Sequence, residues 1–121
     1  MQKKILIIED DKILREALIE ALTSAGYEIA SAVDGDEGVK KAKSEKPDLI
    51  LLDLILPGKN GYNVLLDLSK SEELKKIPVI VLTVLDSEYS LETCKLAGAK
   101  DYLIKSEYSL AEIVKKVRQN L

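Results

Sequence analysis

Acidic residues follow two of the most apolar runs of this sequence. Glu9 and Asp10 come directly after the run Lys4–Ile8, and Asp53 lies inside the apolar stretch 49–56. A carboxylate that is buried without a partner is costly, so Asp53 needs a donor or a cation beside it. Acids that meet in one place repel one another unless a cation binds between them, and hard oxygen ligands suit Mg²⁺. The pattern therefore indicates carboxylate chemistry assisted by a metal ion.

Two further polar residues, Thr83 and Lys105, also end apolar runs. Each has an ordinary explanation when it is taken alone, as a plain strand residue and as a solvated surface lysine. In the same way Asp10 or Asp11 could simply cap a helix, and Asp53 could bind a backbone amide or pair with Lys105. A single functional site is nevertheless favoured, because a hydroxyl, an ammonium and several carboxylates stand together at the ends of successive apolar runs.

The composition excludes several other kinds of chemistry. The chain has 121 residues, no histidine and one cysteine. Nucleophile pairs that need histidine, and zinc sites that contain histidine, are therefore impossible. The helical pattern around Cys94 predicts a small buried hydrophobic residue. A lone cysteine forms no internal disulfide, which is consistent with a reducing cytoplasm.

Charge and hydropathy narrow the possible partners. The formal net charge is -3, whereas a nucleic-acid backbone requires a basic face. No apolar run reaches the length of a membrane span, and the N-terminus lacks the layout of a signal peptide. We therefore expect a cytoplasmic protein that binds neither nucleic acid nor membrane.

Short apolar runs alternate with segments of helical spacing along the chain. The predicted strands are Lys4–Ile8, Tyr27–Val33, Asp48–Leu52, Val79–Leu82 and Asp101–Ile104. Between them apolar residues recur with a period near 3.6, which is typical of amphipathic helices. The signals that begin or end these helices are Gly26, Asp34-Gly35, Pro47, Gly61, Asp86 or Ser87, Gly98, and Ser109 with Glu112.

The order of the elements predicts an open α/β sheet. Five β-α units are too few for a closed eight-stranded barrel, so a doubly wound parallel sheet remains. Uninterrupted apolar strands are typical of positions covered by helices on both faces, whereas Glu28 and Ser31 suit an edge. Ligands bind at the carboxyl edge of such a sheet, where the polar residues would converge. We expect residues 1–121 to form a single domain.

Four motifs resemble the receiver domains of bacterial two-component response regulators, over essentially the whole chain. They are Ile7-Ile8-Glu9-Asp10-Asp11, Asp53-Leu54-Ile55-Leu56-Pro57-Gly58-Lys59-Asn60-Gly61, Val81-Leu82-Thr83 and Gly98-Ala99-Lys100-Asp101-Tyr102-Leu103-Ile104-Lys105. Each motif is common by itself, but the set with this spacing is highly specific. The resemblance implies the flavodoxin-like (βα)5 fold with strand order 2-1-3-4-5. It also implies a stand-alone receiver of the chemotaxis type, with no output domain.

The resemblance assigns the central chemistry to Asp53, which would be the phosphoacceptor. A sensor histidine kinase or a phosphotransfer protein would supply the phosphoryl group from a phosphohistidine, and an aspartyl phosphate would form. Glu9 and Asp10 would bind Mg²⁺ together with Asp53 and the backbone carbonyl of Ile55.

The resemblance also implies which residues respond to the phosphoryl group. Thr83 and Lys105 would bind its oxygens, and Tyr102 would be the aromatic switch residue. The face made by the fourth helix, the fifth strand and the fifth helix would then change, and a downstream target protein would bind there. Such a protein accepts a phosphoryl group and dephosphorylates itself, but it is not a turnover enzyme. It would be a monomer, or a weak dimer that forms on phosphorylation.

Three positions depart from the family pattern. Ser106 stands where a proline with a cis peptide bond usually follows the lysine, and a cis bond before a non-proline costs about 3 kcal/mol. Val84 follows Thr83 where a small residue is usual, and it could narrow access to Asp53 or restrict Tyr102. Asn60 replaces a common acid. Because no reacting group is lost, we expect phosphorylation with altered kinetics.

Three other functions fit parts of this sequence. A degenerate receiver could bind a protein partner without phosphorylation, and Ser106 and Val84 are the support for it. A phosphatase with an aspartate nucleophile needs a second acid two residues later, where this chain has Ile55. A flavin or dinucleotide carrier needs a glycine-rich loop after the first strand, where Glu9 and Asp10 would repel a phosphate instead.

Overall fold

Five strands alternate with five helices in the computed structural model, which describes residues 2–121. The strands are β1 (Lys4–Ile8), β2 (Glu28–Ala32), β3 (Leu49–Leu52), β4 (Val79–Thr83) and β5 (Asp101–Ile104). The helices are α1 (Lys12–Ser24), α2 (Gly35–Glu45), α3 (Gly61–Ser69), α4 (Glu88–Leu96) and α5 (Leu110–Gln119). Two short 3-10 segments, Leu74–Lys76 and Lys105–Glu107, precede β4 and follow β5.

The sheet is parallel throughout and has the order β2-β1-β3-β4-β5. This order confirms the predicted flavodoxin-like fold. β2 lies at one edge, as the polar character of Glu28 predicted, and β1, β3 and β4 are the interior strands. All five carboxyl ends therefore meet at one edge of the sheet.

The predicted bounds of β2 were too wide by one residue at each end. The amide of Tyr27 donates to the carbonyl of Leu22 at 3.1 Å, so it closes the end of α1 and does not pair with β1. The amide of Val33 donates to Glu37 Oε1 at 2.7 Å, which also takes it out of the ladder. The predicted β4 was too short by one residue at its carboxyl end, because β4 includes Thr83, which pairs with Ile104.

Each face of the sheet has its own apolar core. One core lies under α1 and α5, and the other lies under α2, α3 and α4. Cys94 is 1% exposed in the second core, which confirms that it is a small buried residue. The helices are apolar on the side that meets the sheet, and within residues 2–121 none is long and apolar enough to cross a bilayer.

Local signals begin and end the helices as the sequence predicts. Ser109 and Glu112 form a reciprocal capping box at the start of α5. Ser87 caps α4 by accepting a hydrogen bond from the amide of Ser90 at 3.2 Å, so it is Ser87 and not Asp86 that takes this role. Gly26 follows α1 with a φ of 101°, a backbone conformation that suits glycine.

Candidate functional site

Adjacent strands bring the acidic residues together at the carboxyl edge. β1 and β3 pair with Ile8 opposite Leu52, and the amide of Asp53 donates to the Ile8 carbonyl at 3.1 Å. Glu9 and Asp53 therefore leave the ends of neighbouring strands. Glu9, Asp10 and Asp53 each place a carboxylate oxygen within 4.8 Å of the other two. The cluster that the sequence predicts is thus present in the fold.

Lys105 joins the two buried carboxylates of this cluster. Glu9 is 2% exposed and Asp53 is 4% exposed. The Lys105 ammonium Nζ lies 2.8 Å from Glu9 Oε1 and 2.9 Å from Asp53 Oδ2. Burial of a carboxylate costs desolvation free energy. The shared ammonium of Lys105 offsets this cost for both carboxylates, whereas an isolated buried charge would have no such compensation.

The site changes the proton affinity of two of its members. Burial raises the pKa of Glu9 and the charge of Asp53 acts in the same direction, although hydrogen bonds from Lys105 and the Asp11 amide oppose them. Burial lowers the pKa of Lys105, but hydrogen bonds to Glu9 and Asp53 outweigh it and leave that pKa above its usual value. Lys105 therefore stays charged across the physiological range.

The three consecutive acids have three different positions. Asp11 caps α1, because its Oδ1 accepts from the amides of Ile13 at 3.0 Å and Leu14 at 3.3 Å. Glu9 turns inward, and its Oε2 accepts from the Asp11 amide at 3.1 Å. Asp10 is exposed and faces the cluster. The helix-cap explanation therefore applies to Asp11 and not to Asp10.

Arg15 supports this acidic loop, and the sequence reasoning missed it. Its Nη1 donates to the carbonyl of Glu9 at 2.9 Å and to that of Asp10 at 3.2 Å. The only signal in the sequence is an arginine one helical turn after Asp11, and that spacing is too common to single it out.

Thr83 and Tyr102 lie on β4 and β5 and contact the same residue, Leu85. Thr83 is fully buried, and its Oγ1 accepts from the Leu85 amide at 3.4 Å. Tyr102 is 8% exposed, and its hydroxyl lies 2.8 Å from the Leu85 carbonyl and 2.8 Å from Ser90 Oγ. Burial raises the pKa of the Tyr102 phenol, so the hydroxyl keeps its proton. Ser90 is the second contact that the sequence reasoning missed.

The three departures from the pattern leave this arrangement in place. The bond between Lys105 and Ser106 is trans, since no cis peptide occurs within residues 2–121, and Lys105 still reaches Asp53. Asn60 caps α3 by accepting from the Asn63 amide at 2.9 Å. Val84 is 60% exposed, and its predicted effect on access to Asp53 stays a prediction.

Ile55, two residues after Asp53, also contacts it. The amide of Ile55 donates to Asp53 Oδ1 at 3.2 Å, while the Ile55 side chain is 51% exposed. This bond holds the Asp53 carboxylate from the side opposite Lys105, whose ammonium binds the other oxygen. Ile55 thus lies beside the acidic cluster, and the predicted use of its carbonyl stays a prediction.

Comparison with known proteins decides the family. Residues 5–118 match the family model of the response regulator receiver domain. The chain belongs to this family. A curated relative, Protein PilH of Pseudomonas aeruginosa, is 38% identical over 102 residues, which are 84% of each chain.

Solved receiver structures have the same architecture as this receiver domain. Chemotaxis response regulator CheY4 of Vibrio cholerae is 26% identical with a TM-score of 0.93, and the match covers 100% of both chains. The BeF3-activated receiver domain of Klebsiella pneumoniae RstA is 30% identical with a TM-score of 0.89, over 98% of this chain and 97% of that one. Both TM-scores show that the overall fold is shared.

Proposed function

We propose that this receiver domain accepts a phosphoryl group on Asp53 from the phosphohistidine of a sensor histidine kinase or a phosphotransfer protein. The observation that carries the proposal is the buried Asp53 carboxylate, bound to the Lys105 ammonium at 2.9 Å inside the acidic cluster. Family membership supports the same chemistry, because receiver domains are the parts of response regulators that interact with such donors. The domain acts in the cytoplasm as a signalling component and not as a turnover enzyme.

The transfer follows from the groups around Asp53. A carboxylate oxygen attacks phosphorus, and a P–O bond forms while the P–N bond to the donor breaks and its electron pair returns to the imidazole nitrogen. Lys105 offsets the charge on the transferred oxygens. The Thr83 hydroxyl accepts from an amide, so its own proton is free to be donated to a phosphoryl oxygen.

The donor set around Asp53 also fits a magnesium ion. Glu9, Asp10 and Asp53 offer hard oxygen ligands within 4.8 Å of one another, and the Ile55 carbonyl is the fourth ligand that we propose. When bound there, the ion supplies positive charge against the phosphoryl oxygens. To bind the ion, the carboxylates of Glu9, Asp10 and Asp53 need only stay ionised and correctly spaced.

Mass spectrometry of the intact protein tests this function directly. We expect incubation with acetyl phosphate and Mg²⁺ to add one phosphoryl mass, and a chelator to abolish the gain. Acetyl phosphate replaces the kinase because it is itself an acyl phosphate donor. An absence of any gain, with kinase-type donors as well, would instead favour a receiver that binds its partner without phosphorylation, the function for which Ser106 and Val84 were the support.

Arg15→Met is expected to weaken Mg²⁺ binding by roughly tenfold, the size of effect typical of groups that orient metal ligands. The reason is positional, since Arg15 holds the carbonyls of both Glu9 and Asp10. Loss of a positive charge alone would strengthen cation binding, so weaker binding reports the lost orientation. The measurement is a calorimetric Mg²⁺ titration of the unphosphorylated protein.

Lys12→Met is the matched control for Arg15. Lys12 is an exposed cation at the start of α1. Its removal should leave Mg²⁺ affinity unchanged or slightly higher. Equal affinities for Arg15→Met and the unaltered protein would show that the two hydrogen bonds do not position the acidic loop.

For signalling, we propose that Tyr102 reports phosphorylation to the face formed by α4, β5 and α5. A downstream protein binds that face, and the protein is a monomer or a weak dimer when phosphorylated. The similarity to the chemotaxis protein CheY4 of Vibrio cholerae supports a chemotaxis-type role. The support within the molecule is the contact of both Thr83 and Tyr102 with Leu85, which connects the carboxyl end of β4 to β5 through the loop before α4.

A further inference from the structure

We propose that Ser90 is a positioning residue that holds Tyr102 in its buried orientation and so ties the start of α4 to the switch. The inference rests on the proposed function, because it concerns the regulation of the same site. It assigns a role to a side chain outside the acidic cluster and outside the motifs that the sequence presents.

The phenol of Tyr102 has two oxygen partners and can donate to only one of them. The Leu85 carbonyl only accepts, so it takes the Tyr102 proton at 2.8 Å. The remaining contact, at 2.8 Å to Ser90 Oγ, is then supplied by the proton of the serine hydroxyl. Ser90 is therefore the residue whose side chain completes the hydrogen bonding of this buried phenol.

The start of α4 holds Ser90 in the position that this contact requires. Its amide donates to the Ser87 cap at 3.2 Å, which fixes its backbone in the first turn. With its backbone fixed, Ser90 has only its side-chain torsions left to order when it binds Tyr102, so the bond costs little conformational entropy.

A continuous set of hydrogen bonds runs from Thr83, at the carboxyl end of β4, to the first turn of α4. The Thr83 hydroxyl accepts from the Leu85 amide, and the carbonyl of the same Leu85 accepts from Tyr102. A change at Thr83 when its hydroxyl donates to a phosphoryl oxygen therefore reaches Leu85, and Tyr102 and the first turn of α4 respond together because Ser90 links them. Without Ser90 the phenol would be held by Leu85 alone.

Removal of the Ser90 hydroxyl should make Tyr102 more accessible. We expect Ser90→Ala to raise the nitration rate of Tyr102 by tetranitromethane roughly fivefold, the population shift that corresponds to the loss of one neutral hydrogen bond. Peptide mass spectrometry gives the rate, which is normalised to Tyr27 because Tyr27 packs on the other face of the sheet. Ser90→Thr, which keeps a hydroxyl, should restore the original rate.

Thr93→Val provides the matched control within α4. Its hydroxyl donates to the Tyr89 carbonyl at 2.6 Å, whereas the hydroxyl of Tyr102 is bound by Leu85 and Ser90. A fivefold rise in Ser90→Ala, with rescue by threonine and no rise in Thr93→Val, would establish the positioning role. An unchanged rate in Ser90→Ala, or an equal rise in Thr93→Val, would overturn it. No phosphoryl donor is present, so neither result depends on whether Asp53 is phosphorylated.

Discussion

Asp53→Asn is expected to lose all acyl-phosphate labelling by acetyl phosphate or a kinase donor. An amide oxygen is not a nucleophile toward phosphorus at neutral pH. The neighbouring carboxylates, Glu9 and Asp10, are those that we assign to Mg²⁺. The measurement is the intact mass after incubation with Mg²⁺, followed by acid and base treatment to identify the acyl phosphate.

Asp86→Asn is the matched control for this experiment. Asp86 is an exposed carboxylate in the loop between β4 and α4, so its removal changes the net charge by the same amount. Labelling of this variant should equal that of the unaltered protein. If Asp53→Asn retained labelling at that same level, the assignment of the phosphoacceptor would be wrong.

Gly61→Ala is expected to destabilise the fold by about 3 kcal/mol, at the upper end of ordinary overpacking. A Cβ atom at this position would lie 2.1 Å from the Asp53 carbonyl oxygen and 2.6 Å from the Leu54 Cα. Both neighbours are backbone atoms at the end of β3, so no side chain can rotate to relieve the contact. Chemical denaturation gives the free energy of unfolding.

Asn63→Ala is the control, because Asn63 is an exposed residue in the same first turn of α3. Its free energy of unfolding should change by less than about 0.5 kcal/mol, as is usual for surface substitutions. The Gly61 amide also donates to the Leu54 carbonyl at 2.9 Å, so displacement of α3 would shift the residues around Asp53. A Gly61→Ala protein as stable as the control would show that the loop after β3 relaxes more easily than this packing implies.

The strands were predictable because burial on both faces leaves a strong signal, whereas their order was predicted from the resemblance to receiver domains. β1, β3 and β4 are uninterrupted apolar runs, and their buried side chains explain why polar residues could appear only at their ends. The two errors at the ends of β2 came where a backbone amide had a hydrogen-bond partner outside the sheet. Tyr27 closes α1 and Val33 binds a glutamate side chain, and apolar periodicity carries no information about either bond.

The members of the site were predictable, and so were the pairing of Asp53 with Lys105 and its bond to a backbone amide, but the other contacts that organise the site were not. The sequence places Glu9, Asp53 and Lys105 at one edge because parallel strands end together. A single ammonium joins two of the carboxylates, and this contact depends on the length and direction of the side chains. Arg15 and Ser90 were missed for the same reason, since each lies on a helix and binds a residue outside it.

The run from Glu9 to Asp11 shows how order can matter more than charge. Three neighbouring acids look redundant in composition, yet one reaches Lys105, one faces the solvent edge of the cluster, and one caps a helix. An exchange of Glu9 with Asp10 would leave charge, mass and hydropathy untouched while it shortened the side chain that must reach the ammonium. The effect of a substitution in this run therefore depends on its position, and a neighbouring acid cannot replace one that is lost.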